Sequence, residues 1–280
     1  MEFTFGGTVS KPRVSALISL ENLRGVPKWT HLPQSVSRIG HQRESITLGD
    51  LFTIKRSLAT GCNSFFMLTP EMASERKLPK EFLTPVLPSP RDLDTDEILS
   101  DNDGEPQIAH RRYLLVCDLP EEAVKSRYPS LWQYLQQGVE NGVNERYLCR
   151  HRKPWYSQVV RPPAPFLCTY MGRQGGRNGS PFRFTLNCSK VTAANVYLLL
   201  YPKPVLSASI QGNLEARKAV WKALASITAE MLMGEGRVYG GGLHKLEPKE
   251  LANVRGEIVL DALPRGREIK LNKQMKLFAK

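Results

Sequence analysis

Leu48 Gly49 Asp50 Leu51 Phe52 Thr53 Ile54 Lys55 Arg56 Ser57 Leu58 Ala59 Thr60 Gly61 Cys62 Asn63 Ser64 Phe65 Phe66 Met67 Leu68 is the stretch that decides the fold. Apolar residues recur up to Ile54, a glycine turn follows at Thr60 Gly61, and the run Phe65 to Leu68 reads as a buried strand. Downstream, Pro85 to Pro90 forms a proline-rich connection, and Asp103 Gly104 turns the chain into an apolar strand over Tyr113–Cys117. Glu121 to Gln137 predicts a helix with acids in its first turn, a break at Pro129 and Gly138 at its end. Pro165–Met171, Phe182–Asn187 and Val196–Tyr201 read as further strands. A longer helix is expected over Leu214–Met233, where Val220, Leu224, Ile227 and Met231 make one stripe, either core or partner seam, before Gly234. Pro248 is placed to open a short helix. Upstream, Phe3 to Gln34 reads as scattered strands broken by Pro12, Pro27 and Pro33. Short strands mixed with helices predict an α+β fold around a mixed or antiparallel sheet.

The 280 residues are 41% hydrophobic, which suffices for a substantial core in one large domain or two ordinary ones. No apolar run approaches the roughly 18 residues that a membrane span needs, and the N-terminus lacks a secretory signal pattern. The 5 cysteines are widely spaced and mostly sit in apolar runs, as expected of small buried side chains in a reducing cytoplasm. The formal net charge is +12, yet the 7 acids between Asp92 and Glu105 face no base, which leaves +19 on the remainder. Such a chain has a polyanion as its first candidate partner. Nucleic acid ranks above a membrane surface because the cations are interleaved with rings and glycine loops.

The sequence carries no Walker loop, no His-Glu-x-x-His and no paired Cys-x-x-Cys. Gly240 to Gly242 follow a helix, the wrong context for a dinucleotide turn. Cys149 with His151 is half a zinc site without its second half, and His244, Glu247 and Lys249 read as surface contacts. The expectation is therefore no catalytic residue and no metal ligand.

Three clusters carry the positive reading. Arg150, Arg152 and Lys153, with Arg161 just beyond, are candidate phosphate contacts, supported by the rings of Trp155 and Tyr156. Tyr170 leads into a glycine-rich hairpin tip whose Arg173, Gln174, Arg177 and Asn178 have the donors and acceptors that read base edges. Its bland alternative is a mobile polar loop. Lys55, Arg56 and Asn63 flank the Thr60 Gly61 turn, whose exposed N–H groups can grip a phosphate or form a plain turn.

Ile54 to Phe66 resembles the Gly-Leu-x-Thr-Gly-x-Asn-x-x-Phe signature that opens the TaqI-like specificity region of adenine-specific DNA methyltransferases, with Ser57 where the first Gly usually stands. Tyr147–Tyr156, Pro163–Arg173, Asn187–Pro202 and Tyr239–Leu251 are similar to successive blocks of the same module in bacterial restriction-modification methylases. The resemblance covers roughly Leu48 to Val254. It implies a target recognition domain over 48–254 that binds double-stranded DNA. An N-terminal segment, 1–47, is then a possible trailing edge of a catalytic domain, and 255–280 a basic tail that frays. It also implies that S-adenosylmethionine and the Asn-Pro-Pro-aromatic motif belong to a catalytic half absent from this chain, since Pro162 Pro163 is flanked by Arg161 and Ala164. No Rossmann-like cofactor domain is expected here. Two rivals stand beside this reading: a subunit of a split methyltransferase, active only with a separate catalytic chain, and a protein-interaction remnant without DNA binding.

Overall fold

The computed structural model describes residues 1–8, 10–24, 46–173, 175 and 180–264. The chain divides into two compact units, Met1–Ile46 and Thr47–Lys280. In the first, β1 (Glu2–Thr8) and β2 (Lys11–Leu17) pair antiparallel, with Phe3 opposite Ala16 and Phe5 opposite Val14. A short helix, α1 (Leu20–Arg24), follows. Pro12 is accommodated in β2 because each strand of a two-stranded sheet is an edge.

The second unit begins with α2 (Leu48–Leu51), β3 (Phe52–Arg56), α3 (Asn63–Phe66), β4 (Met67–Leu68), α4 (Pro70–Glu75), β5 (Leu83–Leu87), β6 (Glu97–Ile98) and β7 (Arg112–Leu115). Next come α5 (Glu121–Arg127), α6 (Pro129–Glu140), α7 (Tyr147–Arg150), β8 (Phe166–Thr169), β9 (Met171–Arg173), β10 (Phe184–Asn187), β11 (Thr192–Ala193) and β12 (Tyr197–Pro202). The series ends with α8 (Pro204–Ile210), α9 (Leu214–Ala225), α10 (Ala229–Glu235), β13 (Arg237–Tyr239), β14 (Leu243–Lys245), α11 (Pro248–Asn253) and α12 (Glu257–Asp261). Three sheets result, ordered β3-β12-β8-β10-β6, β11-β5-β7-β4 and β13-β14-β9. Most pairings are antiparallel, while β10 with β6 and β11 with β5 are parallel. This is the mixed α+β architecture that the pattern predicts.

Local chemistry accounts for the departures. Phe65 and Phe66 are helical, and only Met67 and Leu68 are extended. The helix forms because Phe65 and Phe66 donate backbone N–H to the Cys62 carbonyl, and both rings remain buried. The α6 helix runs on past Gly138 to Glu140. Gly138 is in fact a packing position: a Cβ there would lie 2.6 Å from Cζ of Phe65 and 2.8 Å from the Trp155 ring. The helix expected over Leu214–Met233 is present in two pieces, because the Thr228 side chain accepts from Met231 N–H and starts α10 afresh. Most of its stripe is core, with Val220, Leu224 and Ile227 buried and Trp221 donating to the Phe184 carbonyl at 3.0 Å, while Met231 is exposed. The start of the expected tail is also structured: Val259 and Leu260 of α12 are buried.

The acidic stretch forms the expected hairpin turn, with Asp101 Oδ1 accepting from the N–H groups of Asp103 and Glu105. It is clamped to the large sheet. Arg183 pairs with Asp96 and donates to the carbonyls of Pro90, Leu93 and Thr95, and Lys218 pairs with Glu97 at 2.7 Å. Its charges are partly neutralised where the chain enters the sheet.

Candidate nucleic-acid interface

The small sheet gathers residues that lie about 70 positions apart in sequence. Cross-strand partners point to the same face of a sheet. The register Arg237–Lys245–Met171 and Tyr239–Leu243–Arg173 therefore puts three cations, one ring and two apolar side chains on one face. The opposite face carries Val238, His244 and Gly172. A Cβ on Gly172 would meet the Pro181 carbonyl oxygen at 1.8 Å, so only glycine lets the two backbones pass. The same register sets the Gly240–Gly242 tip and the Arg173 end of β9 at one end of the sheet. Of the base-reading candidates, Arg173 is exposed in β9, while Gln174, Arg177 and Asn178 lie outside the described residues.

An open cavity of about 680 Å³ adjoins this sheet, and Arg91, Tyr170, Arg173 and Arg183 are among the residues lining it. A second cavity of about 420 Å³ shares Ser89 and Val196 with the first and is lined by Asn63, Ser64, Arg112 and Asp92. The two form one groove from the glycine-rich sheet to the N-terminus of α3. Sequence reasoning brought Asn63, Tyr170 and Arg173 to this groove. It missed Arg91, masked by the acids that follow it, and Arg112, which follows His110 and Arg111 at the start of an apolar strand.

Asn63 is positioned rather than free. Its Oδ1 accepts from Thr60 Oγ1 at 2.6 Å, and its Nδ2 donates to Asn195 Oδ1 at 3.3 Å. Ser57, in the place usually held by glycine, is buried, and its hydroxyl donates to the carbonyls of Ala194 and Tyr197. The Asn195 turn beside the groove is thereby tied to β3.

Glu247 is the electrostatic hub behind the small sheet. Its carboxylate accepts from Arg56 Nε at 2.9 Å and from the Tyr170 hydroxyl at 2.9 Å, and pairs with Lys245 at 2.9 Å. The Arg56 bond above all, with Lys245 and Tyr170 behind it, holds this carboxyl down at about 2. Lys245 is pushed up by the Tyr170 hydroxyl and then by Glu247. Arg56 and Lys245 lie over the Tyr170 ring, 4.9 and 5.1 Å from its centroid. Arg56 is thus drawn into an internal network, and Tyr170 is 8% exposed, a ring packed beneath cations rather than offered to a base. The reading of Glu247 as a mere surface contact is corrected by this network.

The rings and Arg152 of the Arg150–Tyr156 cluster turn inward, while Arg150, His151 and Lys153 are exposed. Tyr156 is 1% exposed and donates to the Leu119 carbonyl, and Trp155 packs against Phe65 and Phe66. Tyr156 is too buried to stack on a base, while Trp155 is only partly buried. Arg152 donates to the carbonyls of Thr60 at 2.7 Å and Ala59 at 2.6 Å, and to Gln158. It staples the glycine turn to α7, where Gly61 has φ +88° and a Cβ would touch Cys149 Sγ at 2.9 Å. Replacing Arg152 by Gln leaves those carbonyls unpaired and is expected to cost about 1–3 kcal/mol in urea unfolding; unchanged stability would contradict the staple. Lys55, Arg150 and Lys153 are exposed, and Arg161 is half-buried. None of these four lines the two cavities.

Residues 30–274 match the family model described as Type II methyltransferase M.Eco57I, C-terminal domain. The chain belongs to that family. Membership in the M.Eco57I C-terminal domain family agrees with the methyltransferase resemblance carried by Ile54–Phe66 and the later blocks. The chain is similar to Type II methyltransferase M.XamI of Xanthomonas campestris pv. amaranthicola, 29% identical over 90% of this chain and 46% of that protein. It is also similar to Type II methyltransferase M.AccI of Acinetobacter calcoaceticus, 26% identical over 71% of this chain and 34% of that protein. The chain thus spans less than half the length of these two relatives. Among solved structures, that of the Type IIL restriction-modification enzyme MmeI in complex with DNA matches with a TM-score of 0.38 and 13% identity, over 81% of this chain and 33% of the other. No helix among the described residues is long and apolar enough to cross a membrane.

Proposed function

We propose that this chain is the target recognition part of an adenine-specific DNA methyltransferase of a restriction-modification system, binding double-stranded DNA along the groove that joins the small sheet to α3. The observation that carries the reading is the convergence of Arg91, Arg112, Arg173 and Asn63 on one groove, where Asp92 is the one carboxylate among the described lining residues. Cations position the duplex by its phosphates, and Arg173, at the mouth of the loop, is placed to reach base edges. Lys55, Arg150, Lys153 and Arg161 add attraction from outside the groove, and the protein works in the cytoplasm.

S-adenosylmethionine would be held elsewhere. Among the described residues the Gly240–Gly242 tip joins two antiparallel strands and has open space around it, with none of the strand-to-helix geometry that cradles a nucleotide. This tip does not fit the cofactor, and the reading assigns methyl transfer to a catalytic domain or subunit beyond the described fold. The split-enzyme reading is compatible with this; of the stripe that would form its seam, Val220, Leu224 and Ile227 are buried and Met231 is exposed.

Arg173→Ala tests the base-reading role. Affinity for duplexes enriched from a random pool is expected to fall about 10- to 100-fold, and affinity for mixed-sequence duplex far less. Equal losses on both would remove Arg173 from sequence readout.

A further inference from the structure

A third cavity, of about 260 Å³, shares Ser64 and Met72 with the second and so extends the groove beyond α3. Its polar lining includes Arg76, Arg146, Ser64, Gln137 and Asn141, with no carboxylate among the described lining residues; Glu75 lines an adjoining cavity. Arg76 is held in place, with its guanidinium 5.4 Å from the Tyr134 ring centroid and its Nη1 on the Met72 carbonyl. Tyr134 is itself fixed, donating to the Phe65 carbonyl at 2.6 Å. Arg146 stands exposed just before α7, and among the described residues no carboxylate pairs with either arginine.

Two guanidinium forks, one of them oriented by a buried ring, lining one cavity with the Ser64 hydroxyl and the Gln137 amide make the chemistry of an anion receptor on the scale of one phosphate. The geometry points to a subsite at Arg76 and Arg146 that takes a backbone phosphate of the duplex where it flanks the recognised bases. This rests on the proposed DNA binding and adds to it a sequence-independent anchor at the end of the groove away from Arg173. A free anion would need no opening into the second cavity. A duplex strand lying along the groove does, and the shared Ser64 provides that continuity.

The test measures binding of the full chain to a mixed-sequence duplex across a salt series, for the unaltered protein, Arg146→Gln and Arg76→Gln, with thermal melting as the folding control. Arg146 makes no internal pairing among the described residues, so its variant stays folded even if loss of the Arg76 stacking disturbs α4. The expected result for Arg146→Gln is roughly tenfold weaker binding and a log–log salt slope shallower by about 0.9, the amount for one phosphate. An unchanged slope in Arg146→Gln, while Arg173→Ala still impairs selection of enriched duplexes, overturns the subsite and leaves the proposed function standing. Inorganic phosphate binding that Arg146→Gln abolishes, without any change in the DNA slope, makes this a free-anion pocket and also overturns it. An unaltered chain with no salt-dependent DNA binding overturns both readings.

Discussion

Gly172→Ala is expected to destabilise the second unit by more than about 3 kcal/mol and to abolish selection among DNA sequences, because it forces apart two backbones that now nearly touch. The added Cβ would sit 1.8 Å from the Pro181 carbonyl oxygen, and neither neighbour is the flexible end of a side chain. β9 must shift, and β9 carries Arg173 and pairs with β14. Gly175→Ala is the control. Gly175 has φ +94° with nothing within 4 Å, so alanine there meets strain alone, about 1–2 kcal/mol. Paired chemical denaturation measures the contrast; equal small effects would mean that the close approach at Pro181 is not maintained in solution.

Glu247→Gln is the second large effect. The carboxylate gathers Arg56, Lys245 and Tyr170, and its side chain is 16% exposed, so its removal is expected to cost about 2 kcal/mol at neutral pH. The pH dependence follows from the direction of the shift. Because the folded carboxyl titrates at about 2, below its ordinary value near 4.5, its stabilisation is complete above about pH 4.5 and is lost as pH falls toward 2. The stability gap between the original chain and Glu247→Gln should therefore close across that window. A gap that stays constant down to pH 2 would show that Glu247 contributes by packing and not by charge.

The two predictions rest on features that differed in how legible they were. The strands over Pro165–Met171, Phe182–Asn187 and Val196–Tyr201 were visible because buried strands write themselves as apolar runs, and β8, β10 and β12 fall inside or against those bounds. Phe65–Phe66 misled because a four-residue helix and a buried strand have the same apolar content, and length alone cannot separate them. Trp155 and Tyr156 sat among cations in sequence, yet their neighbours in space are Phe65, Phe66 and Leu119, contacts that no local pattern encodes. Glu247 is the sharper case. Its partner Arg56 lies 191 positions away, so only the meeting of β3 with the start of α11 reveals that a modest Glu-Pro dipeptide anchors a network. Arg173 was legible as chemistry, and the groove that gives it meaning was not.

Photocrosslinking the chain to a duplex carrying iodouracil, followed by peptide mapping, tests the central claim most directly. Adducts are expected along the groove, in the peptides that carry Asn63–Ser64, Ser89–Arg91 and Tyr170–Arg173. Adducts confined to the surface of α8, α9 and α12, with the groove peptides unmodified, would contradict it.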